Sequence, residues 1–191
     1  MTFKVLIIED NHSFIDSLKV MLRDLPLEFT HAFRYTDAQD IIEKTGVFYN
    51  KQVALVQENS ELSTENTAHS KRHVKPTVPK FFNEGGIFLI IVEQNTETNM
   101  KGVDFIGHAI RKFPNLSESD FVLLTHRLEL VPPKNYVFPV IEKPLRAPQI
   151  RQIVLQRMKY AQDIVAMQSR AEGEATLTLG EKTHADEPSK K

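Results

Sequence analysis

Along most of this chain, short and nearly continuous apolar runs alternate with stretches whose apolar residues recur every three or four positions. Phe3 to Ile8 is apolar except at Lys4, the pattern of a strand covered on both faces. A helix is predicted next: Ser13 and Asp16 have capping-box spacing, and Phe14, Leu18, Met21, Leu22 and Leu25 fall on one 3.6-period face before Pro26 stops it. Leu27 to Arg34 reads as a second strand, with Phe29 and Phe33 as core contacts. Thr36 and Gln39 form another capping-box pair ahead of a short helix carrying Ile41 and Ile42, and Gly46 caps its end. A third strand is predicted from Ile87 to Val92. Gly102 then precedes a helix with Phe105, Ile106, Ala109, Ile110 and Phe113 on one face, ended by Pro114. Phe121 to Leu124 and Val137 to Ile141 supply the fourth and fifth strands. Pro148 falls in the first turn of a last helix, where its missing N–H costs little. Strands alternating with amphipathic helices predict an α/β fold with a doubly wound parallel sheet.

The alternation is interrupted once. Val47 to Val56 is compatible with a short helix or a strand, and Gln57 to about Glu84 is too polar to form a core of its own. This stretch is expected to be an insertion, largely mobile, within a domain spanning residues 1–170. Its middle gathers Lys71, Arg72, Lys75 and Lys80 with His69 and His73, which reads as a solvated basic loop before it reads as a nucleic-acid site. The last helix keeps an apolar stripe through Ile150, Ile153, Val154, Met158, Ala161, Ile164 and Val165. That length suits either docking on its own domain or pairing with a partner, including a second copy. Residues 171–191 are small, polar and charged, and a disordered tail is expected there.

Composition narrows the chemistry. With 191 residues, 41% hydrophobic and 26% charged, the chain has the makings of an ordinary globular domain with a sizeable core. A net charge of −1 gives no general attraction to nucleic acid or to an anionic membrane. The absence of cysteine excludes disulfides, thiolate metal sites and cysteine nucleophiles, and agrees with a cytoplasmic location. No apolar run reaches membrane-spanning length. No Gly-rich phosphate cradle follows any strand, and the histidines lack zinc-site spacing.

The polar residues that close the apolar runs carry the candidate chemistry. The first run leads into Glu9-Asp10, the third into Glu93, the fourth into Thr125, and the fifth is followed by Glu142, Lys143 and Pro144. A parallel sheet gathers these strand ends along one edge, where open α/β sheets bind ligands. The order acid pair, acid, Thr, Lys-Pro resembles the receiver domain of two-component response regulators, from Lys4 to about Arg157 apart from the insertion. The resemblance implies a flavodoxin-like five-stranded sheet of order 2-1-3-4-5. It implies that Glu9 and Asp10 match the metal-binding acids, with a backbone carbonyl at Asn95 as a further magnesium ligand. It also implies that Thr125 matches the switch hydroxyl and Lys143 the lysine that neutralises a phosphoryl group.

The chain departs from that family where the chemistry is done. Glu93 stands at the position where the family has a phosphate-accepting aspartate, one methylene longer. The loop from Gln94 to Lys101 is one residue longer than the family norm and lacks its proline. His126 crowds the place of a small residue beside the phosphoryl path. Only residues 126–135 join the fourth and fifth strands, too few for a full fourth helix, and Val140 replaces a rotating aromatic. The expected protein is therefore a degenerate pseudo-receiver, not an enzyme. It would need no cofactor, although magnesium at Glu9, Asp10, Glu93 and Asn95 is compatible with the acids present. It would act by docking a protein partner. The competing expectations are a phosphorylated single-domain response regulator in a phosphorelay, and a nucleic-acid binder using the basic insertion.

Overall fold

The computed structural model describes residues 1–49, 80–96, 100–132 and 136–183. Five strands, β1 (Phe3–Ile8), β2 (Leu27–Ala32), β3 (Ile87–Glu93), β4 (Phe121–Thr125) and β5 (Val140–Glu142), pair in parallel in the order β2-β1-β3-β4-β5. The helices described are α1 (His12–Met21), α2 (Tyr35–Thr45), α3 (Gly102–Lys112) and α4 (Ala147–Thr183). This is the flavodoxin-like architecture expected from the sequence, with an extended C-terminal helix.

Side chains alternate across a strand, and that period of two divides the core cleanly. Val5, Ile7, Leu89, Ile91, Val122 and Leu124 pack on one face with Ile15 and Leu18 of α1 and with α4. Leu6, Ile8, Ile90, Val92, Phe121 and Leu123 pack on the other with Ala38 and Ile42 of α2 and with Phe105, Ile106 and Ala109 of α3. Every residue of β3 is buried, as a central strand covered on both sides requires. After β2 the chain returns to the far side of β1 to form β3, so the strand order reverses between β1 and β3. Their carboxyl ends, Glu9 and Glu93, therefore flank the switch-point crevice.

Several element ends differ from the sequence reading. Neither predicted capping box forms. Asn11 caps α1 by accepting from the Phe14 amide at 3.1 Å, and Ser13 lies inside the helix. Helix α2 begins at Tyr35 without a side-chain cap, because burial of Tyr35 fixes its start. Strand β2 stops at Ala32 instead of Arg34, and β5 covers Val140–Glu142 instead of starting at Val137. Val137 is instead 71% exposed while Phe138 is buried. Gly102 is the first residue of α3. A Cβ there would sit 2.6 Å from the Glu93 carbonyl oxygen, so glycine is what lets α3 start hard against the end of β3. Gly46 does close α2, at φ 74°, with its amide bonded to Ile42.

Most of the expected insertion lies outside the described residues, but its far end belongs to the domain. Phe82 stacks on Phe48 at 5.3 Å, and the Phe81 amide donates to Gln168 of α4 at 2.7 Å. Helix α4 continues past residue 171, where the sequence reading began a disordered tail; residues 184–191 lie outside the described set. Its stripe, Ile150, Val154, Met158, Ala161 and Ile164, is buried in the protein's own core, with Ile153 and Val165 packed at its margin. The stripe thus serves intramolecular docking. Between β4 and β5 the described residues hold only a 3-10 turn, Leu128–Leu130. A groove of about 840 Å³ opens there against α3, lined by Val103, Gly107, Pro132 and Tyr136.

Candidate functional site

The strand ends converge as the sequence reading expected, but a side chain of the protein itself occupies their meeting point. The Lys143 ammonium lies 2.5 Å from Glu9 Oε2 and forms a second ion pair with Glu93 Oε2. The three side chains are buried, at 5%, 2% and 2% exposure respectively. Phe14 of α1 closes a further side, its ring centroid 4.0 Å from the ammonium, a cation–π contact in a water-poor setting. The Lys143–Pro144 peptide bond is cis.

Backbone amides hold the other carboxylate oxygens. The Asn11 amide donates to Glu9 Oε1 at 3.1 Å, and the Asn95 amide donates to Glu93 Oε1 at 3.3 Å. Each glutamate thus has one oxygen fixed by its own loop and one directed at Lys143. Glu93 Oε2 meets the ammonium outside hydrogen-bond geometry and has no hydrogen-bond partner among the described residues. The Glu93 carboxylate meets the lysine through Oε2 while Oε1 accepts from the loop amide.

Burial pushes the Glu9 carboxyl above its ordinary 4.5, with the Glu93 charge adding to the rise; Lys143 and the Asn11 amide oppose it without cancelling it. The folded protein therefore holds a proton on Glu9 more tightly than the unfolded chain does. That contribution is full below pH 4.5 and is lost as pH rises through the raised value. Glu9→Gln, which does not titrate, should gain stability relative to the wild type as pH goes from about 4 to about 7. Urea unfolding at both pH values measures this, and a variant that falls further behind as pH rises would contradict it.

Thr125 is fully buried, and its hydroxyl is engaged locally. It donates to the Arg127 carbonyl at 3.0 Å and accepts from the Arg127 amide at 3.2 Å. The expected switch hydroxyl is thus tied into a turn. His126 is exposed and, with Phe14, Leu18, Met21, Lys143 and Leu145, lines a groove of about 400 Å³ beside the ion pairs. Asn95 directs Oδ1 to Lys101 at 2.7 Å, within a short antiparallel bridge between these two residues.

The sequence reading missed three supporting residues. Tyr35 is buried, stacks on Phe105 at 4.8 Å and donates its hydroxyl to the Glu93 carbonyl at 2.8 Å. Burial first, and then the charges of Glu93 and Asp10, push its phenol up to about 12 against the pull of Thr96, so it remains a neutral donor. Gln94, buried behind Glu93, accepts from the Val103 amide at 3.0 Å and ties β3 to the first turn of α3. Phe14 was read only as part of a core-facing stripe, since nothing in a helical period marks which ring will meet a cation.

The receiver resemblance implies magnesium, and the donor set present does not suit it. Among the described residues no three His, Asp or Glu side chains are arranged to share a metal ion. The two carboxylates that converge are already joined through Lys143. The residues favour an internal ion pair over a hydrated cation.

No protein-family model matches the sequence, and no curated protein is significantly similar to it. The fold does have relatives among solved structures. A response regulator receiver domain protein from Clostridium thermocellum superposes with a TM-score of 0.53 at 15% identity, covering 84% of this chain and 97% of that one. The signal receiver domain of an HD domain-containing protein from Pseudomonas fluorescens Pf-5 gives 0.52 at 14% identity, covering 85% and 99%. A CheY-like response regulator receiver domain from Methylobacillus flagellatus gives 0.50 at 16% identity, covering 82% and 99%. At these identities the likeness is one of fold: the chain is built as a receiver domain is built.

Proposed function

We propose that this receiver-like domain is a non-enzymatic signalling adaptor, a pseudo-receiver that docks a protein partner without an aspartyl-phosphate switch. The observation that carries the reading is the buried Glu9–Lys143–Glu93 arrangement. The side chain standing where receivers place a phosphate acceptor is spent on a lysine, one of its oxygens held by a loop amide. The Thr125 hydroxyl is satisfied by Arg127, which leaves no free donor to follow a phosphoryl group.

The surface supports docking at the rebuilt β4–β5 face. Leu128 and Val137 are exposed between β4 and β5, and Pro132 and Tyr136 of the same connection line the groove on α3, an arrangement suited to an apolar partner surface. Self-pairing through α4 would have to use outward residues such as Leu155 and Met167, because its main stripe is already buried. Among the described residues no helix is long and apolar enough to cross a membrane.

Acetyl phosphate with magnesium should leave the intact mass of the protein unchanged, with no stable phosphorylated species. The presence of three acids, Glu9, Asp10 and Glu93, at one sheet edge favours a second reading, a phosphorylated single-domain regulator. Under that reading the same incubation yields a labelled protein, and Glu93→Gln abolishes the label.

A further inference from the structure

We infer that the groove over α3 receives an amphipathic helix of a partner protein, laid along α3 across Gly107, with an acidic side chain for Arg111 and a basic one for Asp104. The inference rests on the adaptor reading and names the kind of segment the adaptor takes.

The fold leaves room for such a helix. The β1–β2, β2–β3 and β3–β4 connections carry helices of 10, 11 and 11 residues, whereas the described residues between β4 and β5 hold only the three-residue turn Leu128–Leu130. Crossovers that step in one direction along a parallel sheet share a face. Helices α2 and α3 lie on that face, and Val131, Tyr136 and Phe138 of the β4–β5 connection pack there too. Among the described residues no further helix continues the layer beside α3. The groove of about 840 Å³ runs over α3 between the start of α2, at Tyr35 and Thr36, and the connection, at Pro132 and Tyr136.

Gly107 is what singles out a helix as the occupant. It sits in the middle of α3 and lines the groove, yet the fold itself does not require glycine there. A Cβ at this position would meet nothing nearer than Arg111 Nη1 at 3.5 Å, an ordinary contact with the end of a flexible side chain. Glycine weakens a helix interior relative to alanine. Its effect is therefore outward. It clears the centre of the row Val103, Gly107, Arg111, whose spacing of four is the row that facing helices interdigitate with.

Charge sets the chemistry of the partner. Asp104 and Arg111 are seven residues apart, so they stand along one side of α3 at a separation of roughly 10 Å, with Gly107 between them. Both are exposed, and neither forms an ion pair with another described residue; Lys112, beside Arg111, is already paired with Glu43. A helix with an apolar stripe flanked by an acid and a base about two turns apart complements this bed, and a helix of one charge sign would meet a like charge at one end.

A displayed library of helices of about 16 residues tests this, with apolar residues varied along one stripe and Glu, Lys and Gln varied on its flanks. It is selected on the full chain and counter-selected on Gly107→Leu. Enriched sequences should carry an acid and a base about two turns apart, and as synthetic peptides should shift the amides of Val103, Gly107, His108 and Tyr136. Gly107→Leu should weaken these peptides by about tenfold or more while raising the thermal midpoint by roughly 2–4 °C, which separates lost docking from lost fold. Gly107→Ala should keep the gain in stability and lose less binding. Arg111→Glu should weaken the peptides by about fivefold, and Lys in place of the peptide's acid should restore binding. Absence of any sequence enriched on the wild type over Gly107→Leu would overturn the inference. Shifts gathered elsewhere, such as at the groove between Phe14 and Leu145, would do so too. So would a dimer in sedimentation that Gly107→Leu dissolves, since the groove would then belong to a second copy. None of these outcomes touches the acetyl phosphate test, whose positive result would remove the adaptor reading by itself.

Discussion

Lys143→Met should lower stability by about 3–5 kcal/mol at neutral pH, the range for removing one partner from a buried ion pair. The loss comes less from the attraction forfeited than from what remains: two carboxylates, each 2% exposed, aimed at one point with no cation between them. At roughly 2–4 °C per kcal/mol for a chain of this size, the thermal midpoint should fall by roughly 6–20 °C. The pH dependence identifies the cause. Without Lys143 the pull that opposes burial at Glu9 is gone, and the Glu9 carboxyl holds its proton more tightly than in the unfolded chain, where it would titrate near 4.5. Its protonation adds stability that is present at low pH and lost as pH rises. The deficit of Lys143→Met should therefore be largest near pH 7 and shrink toward about pH 4. Thermal unfolding of both proteins across that range decides the matter, and a deficit independent of pH would assign the loss to packing alone.

Phe105→Ala should cost a similar about 3–5 kcal/mol, the usual toll for truncating a fully buried aromatic, and should disturb the site as well as the core. Phe105 is 0% exposed and lies between α3 and the sheet, with Tyr35 stacked on it at an interplanar angle of 14°. The Tyr35 hydroxyl in turn holds the carbonyl of Glu93. Removing the ring beneath Tyr35 frees the phenol to move, and with it the strand end that aims Glu93. Tyr35→Phe, which keeps the stack and loses only the hydrogen bond, should cost only about 1 kcal/mol. Urea unfolding gives both losses, and amide shifts at Glu93 and Asn95 report the site. Equal losses in the two variants would mean that the hydrogen bond, and not the aromatic stack, carries the coupling.

The predictions depend on residues of two kinds, and the sequence showed only one. Hydrophobic period was enough for the alternating order of elements, because a short continuous apolar run bounded by polar residues, such as Ile87 to Val92, suits a strand covered on both faces. The polar residues closing those runs were legible for the same reason. A parallel sheet places strand ends together whatever their side chains do next, so Glu9, Glu93, Thr125 and Lys143 could be placed on one edge from their order alone. Element ends were harder to read. Capping by Asn11 depends on which hydroxyl or carboxamide finds a free amide, and Ser13 offered an equally good local pattern. The long α4 stripe was ambiguous for a related reason, since period marks a buried face without naming what buries it. Only tertiary packing showed that Ile164 lies in the protein's own core and that Gln168 binds the Phe81 amide.

What the sequence determined by itself was the α/β architecture and the set of groups brought to the switch-point crevice. What the tertiary structure alone decided was their pairing: Lys143 with both glutamates, and Tyr35 with the Glu93 carbonyl. The physical reason is one of scale. Burial acts along whole segments and leaves its period in the sequence, whereas an ion pair or a hydrogen bond forms over about 3 Å between residues far apart in the chain. Glu9 and Lys143 are separated by 134 positions, and no local pattern encodes which carboxylate the ammonium will meet.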